Sequence, residues 1–206
     1  MLYNKVNDNT NIYEINLKTF LEKQEYIAAG YLDALNKNTF MEIIDKYLMQ
    51  TIEEVWEVVN SENDNEKIEE LSDVLMYLGS TYALLACEIG NTHDNLNDMY
   101  VIVDKKEELD LNNITQSLIS IRRLFPSRKW HKQEKENNKS IYIAVKLIEN
   151  LMIDIIKYQI SYKNSNKDII DFDRYIENKE EMMLKKVDER WNTLFKVFNL
   201  DPKINL

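Results

Sequence analysis

Glu54-x-x-Glu57 and Glu70-x-x-Asp73 are two acidic pairs with twelve residues between them. On a helix, residues three apart are surface neighbours, so each pair turns two carboxylates to one side. If the two helices pack together, all four carboxylates converge. Unpaired charges held beside a core are costly, and a hard divalent cation relieves that cost. Magnesium takes a few carboxylates together with waters and phosphate oxygens. The chemistry expected of such a spacing is metal-assisted work on a phosphate.

The surrounding charge points to the same place. From Glu53 to Asp73 there are nine acidic residues (Glu53, Glu54, Glu57, Glu62, Asp64, Glu66, Glu69, Glu70, Asp73) against one base, Lys67. This stretch carries −8 of a net −10. Concentrated like charge costs stability unless cations neutralise it. The acidic balance argues against duplex nucleic acid as a partner, since duplex binding relies on Lys and Arg at the phosphates. With 36 acidic residues in the chain, a string of this kind arises readily. Its weight comes from its setting on two amphipathic helices joined by a short loop. The bland alternative is a solvated acidic face.

The elements that must hold these residues are helices. Gly and Pro together number five in 206 residues, and no two glycines stand closer than eleven positions. An all-β chain needs turn residues every few positions, and a phosphate-binding glycine loop needs clustered glycines; both are excluded. Periodicity predicts a first helix over 17–35, with Phe20, Leu21, Tyr26, Ile27, Tyr31 and Leu35 apolar. Thr39-x-x-Glu42 reads as a capping box opening a second helix to Val59 or Asn60, with Ile44, Leu48, Ile52, Val55 and Val59 as its buried stripe. The polar run Ser61–Asn65 is a loop, and a third helix runs from Glu66 to Ile89, ended by Gly90. At 100° per residue both acidic pairs flank the apolar stripes, and the short loop predicts an antiparallel hairpin.

Outside the hairpin, the opening dozen residues read as irregular, and 91–112 as a polar connection with an ambiguous apolar patch, Met99–Val103. A fourth helix is expected from a cap at Asn112 or Asn113 through Phe125. A fifth is expected from a Ser140 cap to Tyr162, and a last one from Asp168 to Phe198. The expected fold is a single all-α domain over 1–206, a bundle of five to six long helices around the carboxylate-bearing hairpin. The longest uncharged stretch, Val74–Cys87, is fourteen residues, too short for a bilayer and suited to a buried core helix. The N-terminus has no apolar signal region, and one cysteine makes no internal disulfide. A cytoplasmic protein with no membrane partner is expected.

Ile52-Glu53-Glu54-Val55-Trp56-Glu57-Val58-Val59 and Glu70-Leu71-Ser72-Asp73-Val74-Leu75-Met76-Tyr77 resemble the signature of the all-α nucleoside triphosphate pyrophosphohydrolases. That superfamily includes MazG, the dimeric dUTPases and the phosphoribosyl-ATP pyrophosphohydrolases. The match spans about residues 48–80. The resemblance implies that Glu54, Glu57, Glu70 and Asp73 ligate Mg²⁺, with Mn²⁺ as a substitute, around a triphosphate. It gives Glu53 a part in positioning or activating water, with Glu69 its counterpart. The MazG branch has a late Lys-x-x-Arg-Arg-like helix that contacts phosphate. Lys186-Val187-Asp188-Glu189-Arg190 is similar, with Glu189 where the first arginine would stand, whereas a dimeric-dUTPase reading prefers Lys179 followed by Arg190. A homodimer or higher homo-oligomer is also implied, its interface covering part of the apolar helix Ser140–Tyr162.

A second basic group, Arg122, Arg123, Arg128, Lys129 and Lys132, surrounds Trp130 and His131. Arginine can fork onto phosphate oxygens, so Arg128 and Lys129 join Lys186 and Arg190 as phosphate-binding candidates; a solvated loop is the alternative. His93 and His131 are expected at the surface, and neither follows a Glu by three as a di-iron bundle requires. Cys87, Trp56 and Tyr77 are expected to pack. The expected activity is Mg²⁺-dependent cleavage of a nucleoside triphosphate, a dNTP such as dUTP or a non-canonical NTP, to monophosphate and pyrophosphate. The rival readings are a non-enzymatic helical protein with an acidic docking face and a different carboxylate–metal hydrolase.

Overall fold

A computed structural model of the chain describes residues 2–8, 10–31, 40–90, 96, 99–103, 107–125, 134–165 and 172–198. Among them are six helices: α1 (Lys18–Tyr31), α2 (Phe40–Asn60), α3 (Asp64–Glu88), α4 (Leu111–Leu124), α5 (Glu134–Ser165) and α6 (Phe172–Phe198). The all-α bundle expected from glycine scarcity and helical periodicity is present. No helix among the described residues is long and apolar enough to cross a membrane.

The central element is α3, which packs on α1, α2, α5 and α6. From Val74 to Ala86 every residue but Tyr77 is buried, which is why this stretch can do without charge. Gly79 lets α1 come close: a Cβ there would stand 2.6 Å from the Phe20 ring. Gly90 ends the helix with φ 63°, its N–H donating to the Cys87 carbonyl at 3.0 Å. Left-handed backbone of this kind strains any residue with a Cβ, and glycine adopts it freely.

Several expectations need correction. The opening residues are not irregular: β1 (Tyr3–Lys5) and β2 (Ile12–Ile15) pair antiparallel, and β2 pairs antiparallel with β3 (Met99–Ile102). The apolar patch at Met99–Val103 is thus a sheet-edge strand, and Tyr13 lies opposite Val101. Asp110 rather than Asn112 or Asn113 caps α4, accepting from the Asn113 N–H at 3.0 Å. Ser140 does not cap α5, which already runs from Glu134. On α2 the buried stripe is Ile44, Leu48, Val55 and Val58, while Val59 is exposed. Tyr26 is exposed too, and its hydroxyl donates to Asp188 at 2.8 Å, tying α1 to α6. Cys87 is exposed rather than core, its thiol 2.9 Å from Glu25 Oε1. Trp56 is 68% exposed and does not pack as expected. Thr39, Leu35, His93, Arg128, Lys129, Trp130, His131, Lys132 and the start at Asp168 lie outside the described residues.

Candidate metal centre on the α2–α3 hairpin

The site begins with the connection between two helices. After α2 ends at Asn60, three residues suffice to turn the chain into α3. Asn60 Nδ2 donates to the Trp56 carbonyl at 2.7 Å and Ser61 Oγ to the Glu57 carbonyl at 2.9 Å. Both are side-chain bonds back to the carbonyl four residues earlier. Asn63 then caps α3, its side chain accepting from the Glu66 N–H at 3.0 Å, while Glu66 Oε2 accepts from the Glu62 N–H at 2.6 Å. This reciprocal arrangement is a variant of the capping box, and it starts α3 at Asp64, two residues before the expected Glu66.

So tight a turn sends α3 back along α2. The register confirms the antiparallel sense. Tyr47 meets Tyr77 with ring centroids 6.1 Å apart, and ten residues later on α2 Glu57 meets Glu70, earlier on α3. Carboxylate oxygens of Glu54, Glu57 and Glu70 lie within 4.8 Å of one another. Glu57 is exposed; Glu54 and Glu70 are half-buried.

Crowding alters their protonation. The Glu54 carboxyl is pushed up to about 7, first by burial and then by the charges of Asp73, Glu57 and Glu70. Burial, followed by the charges of Glu57 and Asp73, also raises Glu70. Ionised carboxylates this close repel one another, and burial adds to the cost of their charge. A hard divalent cation bound there would relieve the same crowding. Three carboxylates at this separation are a group that could hold a metal ion.

Asp73 stands beside this group but is already engaged. Lys179 of α6 donates through Nζ to Asp73 Oδ2. Their side chains are 24% and 21% exposed, respectively. Burial raises the Asp73 carboxyl despite the opposing pull of Lys179. Burial would lower Lys179, but its hydrogen bonds and charge interactions with Asp73 and Tyr175 outweigh that, leaving it raised. The Lys179 ammonium also lies 5.0 Å from the centre of the Tyr175 ring. Tyr77, half-buried, faces the same cluster: its hydroxyl is raised by burial and then by Glu54 and Asp73.

Helix α6 is held in place by a buried network one residue on. Glu180 accepts from Lys23 Nζ at 2.6 Å and from Gln24 Nε2 at 3.4 Å, and Ser80 Oγ donates to Gln24 Oε1 at 3.0 Å. Buried polar groups satisfied in this way fix a register, here that of α6 against α1 and α3.

The remaining candidates are placed differently. Glu53 is exposed and stands outside the three-glutamate group, though its charge reaches Tyr77. Glu69 is half-buried and its charge reaches Tyr175. Lys186 is exposed and Arg190 half-buried on α6. Lys179, Lys186 and Arg190, seven and four positions apart, share one helical face, so the latter two continue the stripe that Lys179 begins. Arg122 is not free for phosphate: its guanidinium forks onto Asp45, with Nη2–Oδ2 at 3.2 Å, and joins α4 to α2. Tyr175 had no sequence signal. Lys179 had one, its pairing with the later Arg190 in the sequence, but only three-dimensional packing brings it to Asp73. No family model, curated protein or solved structure matches the chain.

Proposed function

We propose that the chain is a Mg²⁺-dependent nucleoside triphosphate pyrophosphohydrolase acting in the cytoplasm, on a dNTP such as dUTP or on a non-canonical NTP. The observation that carries this reading is the convergence of Glu54, Glu57 and Glu70, with Asp73 beside them, on one packed helix pair. Those four carboxylates would hold the metal. A Mg²⁺ held there would polarise phosphate oxygens and lower the pKa of a bound water. Glu53, exposed next to Glu54, would orient an incoming water or accept its proton. The hydrolysis adds water across the α–β phosphoanhydride, giving the monophosphate and pyrophosphate. Lys186 and Arg190, on the α6 face that carries Lys179, supply positive charge where negative charge develops on the phosphates. The same reading brings a homodimer or higher homo-oligomer, for which sedimentation should give more than the monomer mass at micromolar concentration.

The test is incubation with each canonical and non-canonical triphosphate plus Mg²⁺, with separation of the products. Monophosphate and pyrophosphate should appear together, and Glu57→Ala should lose nearly all turnover while keeping its helical content. Turnover at the wild-type rate in Glu57→Ala would end the assignment. The rival docking-face reading draws on Trp56 and Val59, exposed at 68% and 53% on α2. It predicts no hydrolysis of any triphosphate and partner binding lost in Trp56→Ala.

A further inference from the structure

We infer that Lys179 is a tethered internal cation that fills the Asp73 side of the carboxylate cluster and must be displaced when a divalent metal takes all four carboxylates. The inference rests on the metal-centre reading above.

Three glutamates converge within 4.8 Å, yet Asp73, close enough for its charge to raise both Glu54 and Glu70, is outside their group. Asp73 has a partner of its own. Lys179 reaches across from α6 and donates to Asp73 Oδ2. This is not a loose surface contact, because both side chains are about three-quarters buried. Tyr175, one turn earlier on α6, backs the ammonium with its ring centre at 5.0 Å. The neighbouring Glu180 anchors the helix through Lys23 and Gln24. The ammonium is therefore delivered to Asp73 by a fixed element.

A metal approaching the glutamates meets this charge. Two cations on one carboxylate repel, and Asp73 Oδ2 cannot be a free ligand while it accepts from Lys179. Metal entry must break the ion pair or share its oxygen. In the metal-free protein, the same contact neutralises one of the crowded carboxylates. Lys179 thus lowers the charge load of the empty site and sets a threshold for metal binding.

Mg²⁺ titration of nucleotide-free protein by calorimetry tests this in wild type, Lys179→Met and Lys185→Met. Lys185 is exposed on the same helix, so its variant removes the same formal charge without touching Asp73. Lys179→Met should bind Mg²⁺ up to about fivefold more tightly, the affinity equivalent of one well-formed ion pair. Its melting temperature should also rise more on Mg²⁺ addition than that of wild type. Lys185→Met should stay within about twofold of wild type, as an exposed charge is screened. Lys179→Gln, which keeps a hydrogen-bond donor toward Asp73 without the charge, repeats the comparison in a second background. Equal or weaker binding by both Lys179 variants, with wild-type binding intact, overturns the internal-cation role and leaves the metal centre standing. Equal tightening by Lys185→Met overturns it too, reducing the effect to net charge. Absence of both binding heat and thermal shift in every protein overturns the metal centre and this inference together.

Discussion

The four carboxylates are alike in the motif but not in their surroundings. Glu57 is exposed and sits among like charges, whereas Asp73 is largely buried and paired with Lys179. Truncation should therefore have opposite signs in the metal-free protein. Glu57→Ala relieves repulsion, so its melting temperature should equal or exceed that of wild type by about 1–3 °C. Asp73→Ala leaves a buried ammonium without its carboxylate, the costly half of a broken ion pair, and should melt several degrees lower. Thermal scans in chelator, with no added metal, check both; matching shifts of the same sign would show that Lys179 contributes nothing at Asp73. The reading of the motif as four equivalent ligands predicts a gain for every one of them, and the ion pair is why Asp73 departs from that. Residue types at helical spacing made the carboxylates legible. Lys179 lies 106 positions from Asp73, and no local pattern connects them. Type preference also misplaced Trp56 and Cys87, because tryptophan and cysteine bury on average while each site here happens to face outward.

At the scale of elements, the hairpin was legible because its signals are local: two amphipathic stripes, a short polar break and a glycine stop. The cap is hidden in the sequence because Asn63 lies inside the polar run Ser61–Asn65, which reads as loop. That cap fixes where α3 begins, and so which residues of α3 face Glu54 and Glu57. Asn63→Ala removes the acceptor for the Glu66 N–H and should cost about 1 kcal/mol, a loss of roughly 2–4 °C in melting temperature for a chain of this size. Glu66→Ala removes the return bond to the Glu62 N–H. If the two bonds form a reciprocal box, the double variant should lose less than the sum of the single losses. Chemical denaturation of the four proteins measures this, and strict additivity would show two independent contacts. The sheet lay beyond sequence reading for a different reason. Its strands are three or four residues long, and β3 joins β2 from 88 positions away at the Tyr13–Val101 pair. Segments that short carry no periodicity to distinguish them from loop.

Over the whole molecule, charge and core are segregated. The apolar residues of α5, among them Ile141, Val145, Ile148, Met152, Ile155 and Ile156, are buried within one protomer. The expectation that this stripe covers a dimer interface therefore leaves only exposed neighbours such as Tyr142 and Ile143 for that purpose. Most of the net charge, −8 of −10, lies between Glu53 and Asp73, so pH should act on stability chiefly through the hairpin. Glu54 sets the sign. Its carboxyl titrates at about 7 in the folded chain, against roughly 4.3 when unfolded. Folding thus favours the protonated form. The resulting stabilisation is complete below the unfolded value and is lost as pH rises through the folded one. Metal-free wild type should lose stability relative to Glu54→Gln, which stays neutral, as pH climbs from about 5 to about 8. Saturating Mg²⁺ should reverse the trend for wild type, because the cation binds the deprotonated cluster and stabilises the native state more as protons leave. Melting temperatures across that range, with chelator and then with Mg²⁺, read both effects. A wild-type-minus-variant difference that stays flat in chelator would mean that Glu54 titrates as an ordinary carboxylate. The crowding that motivates a metal at this hairpin would then be absent.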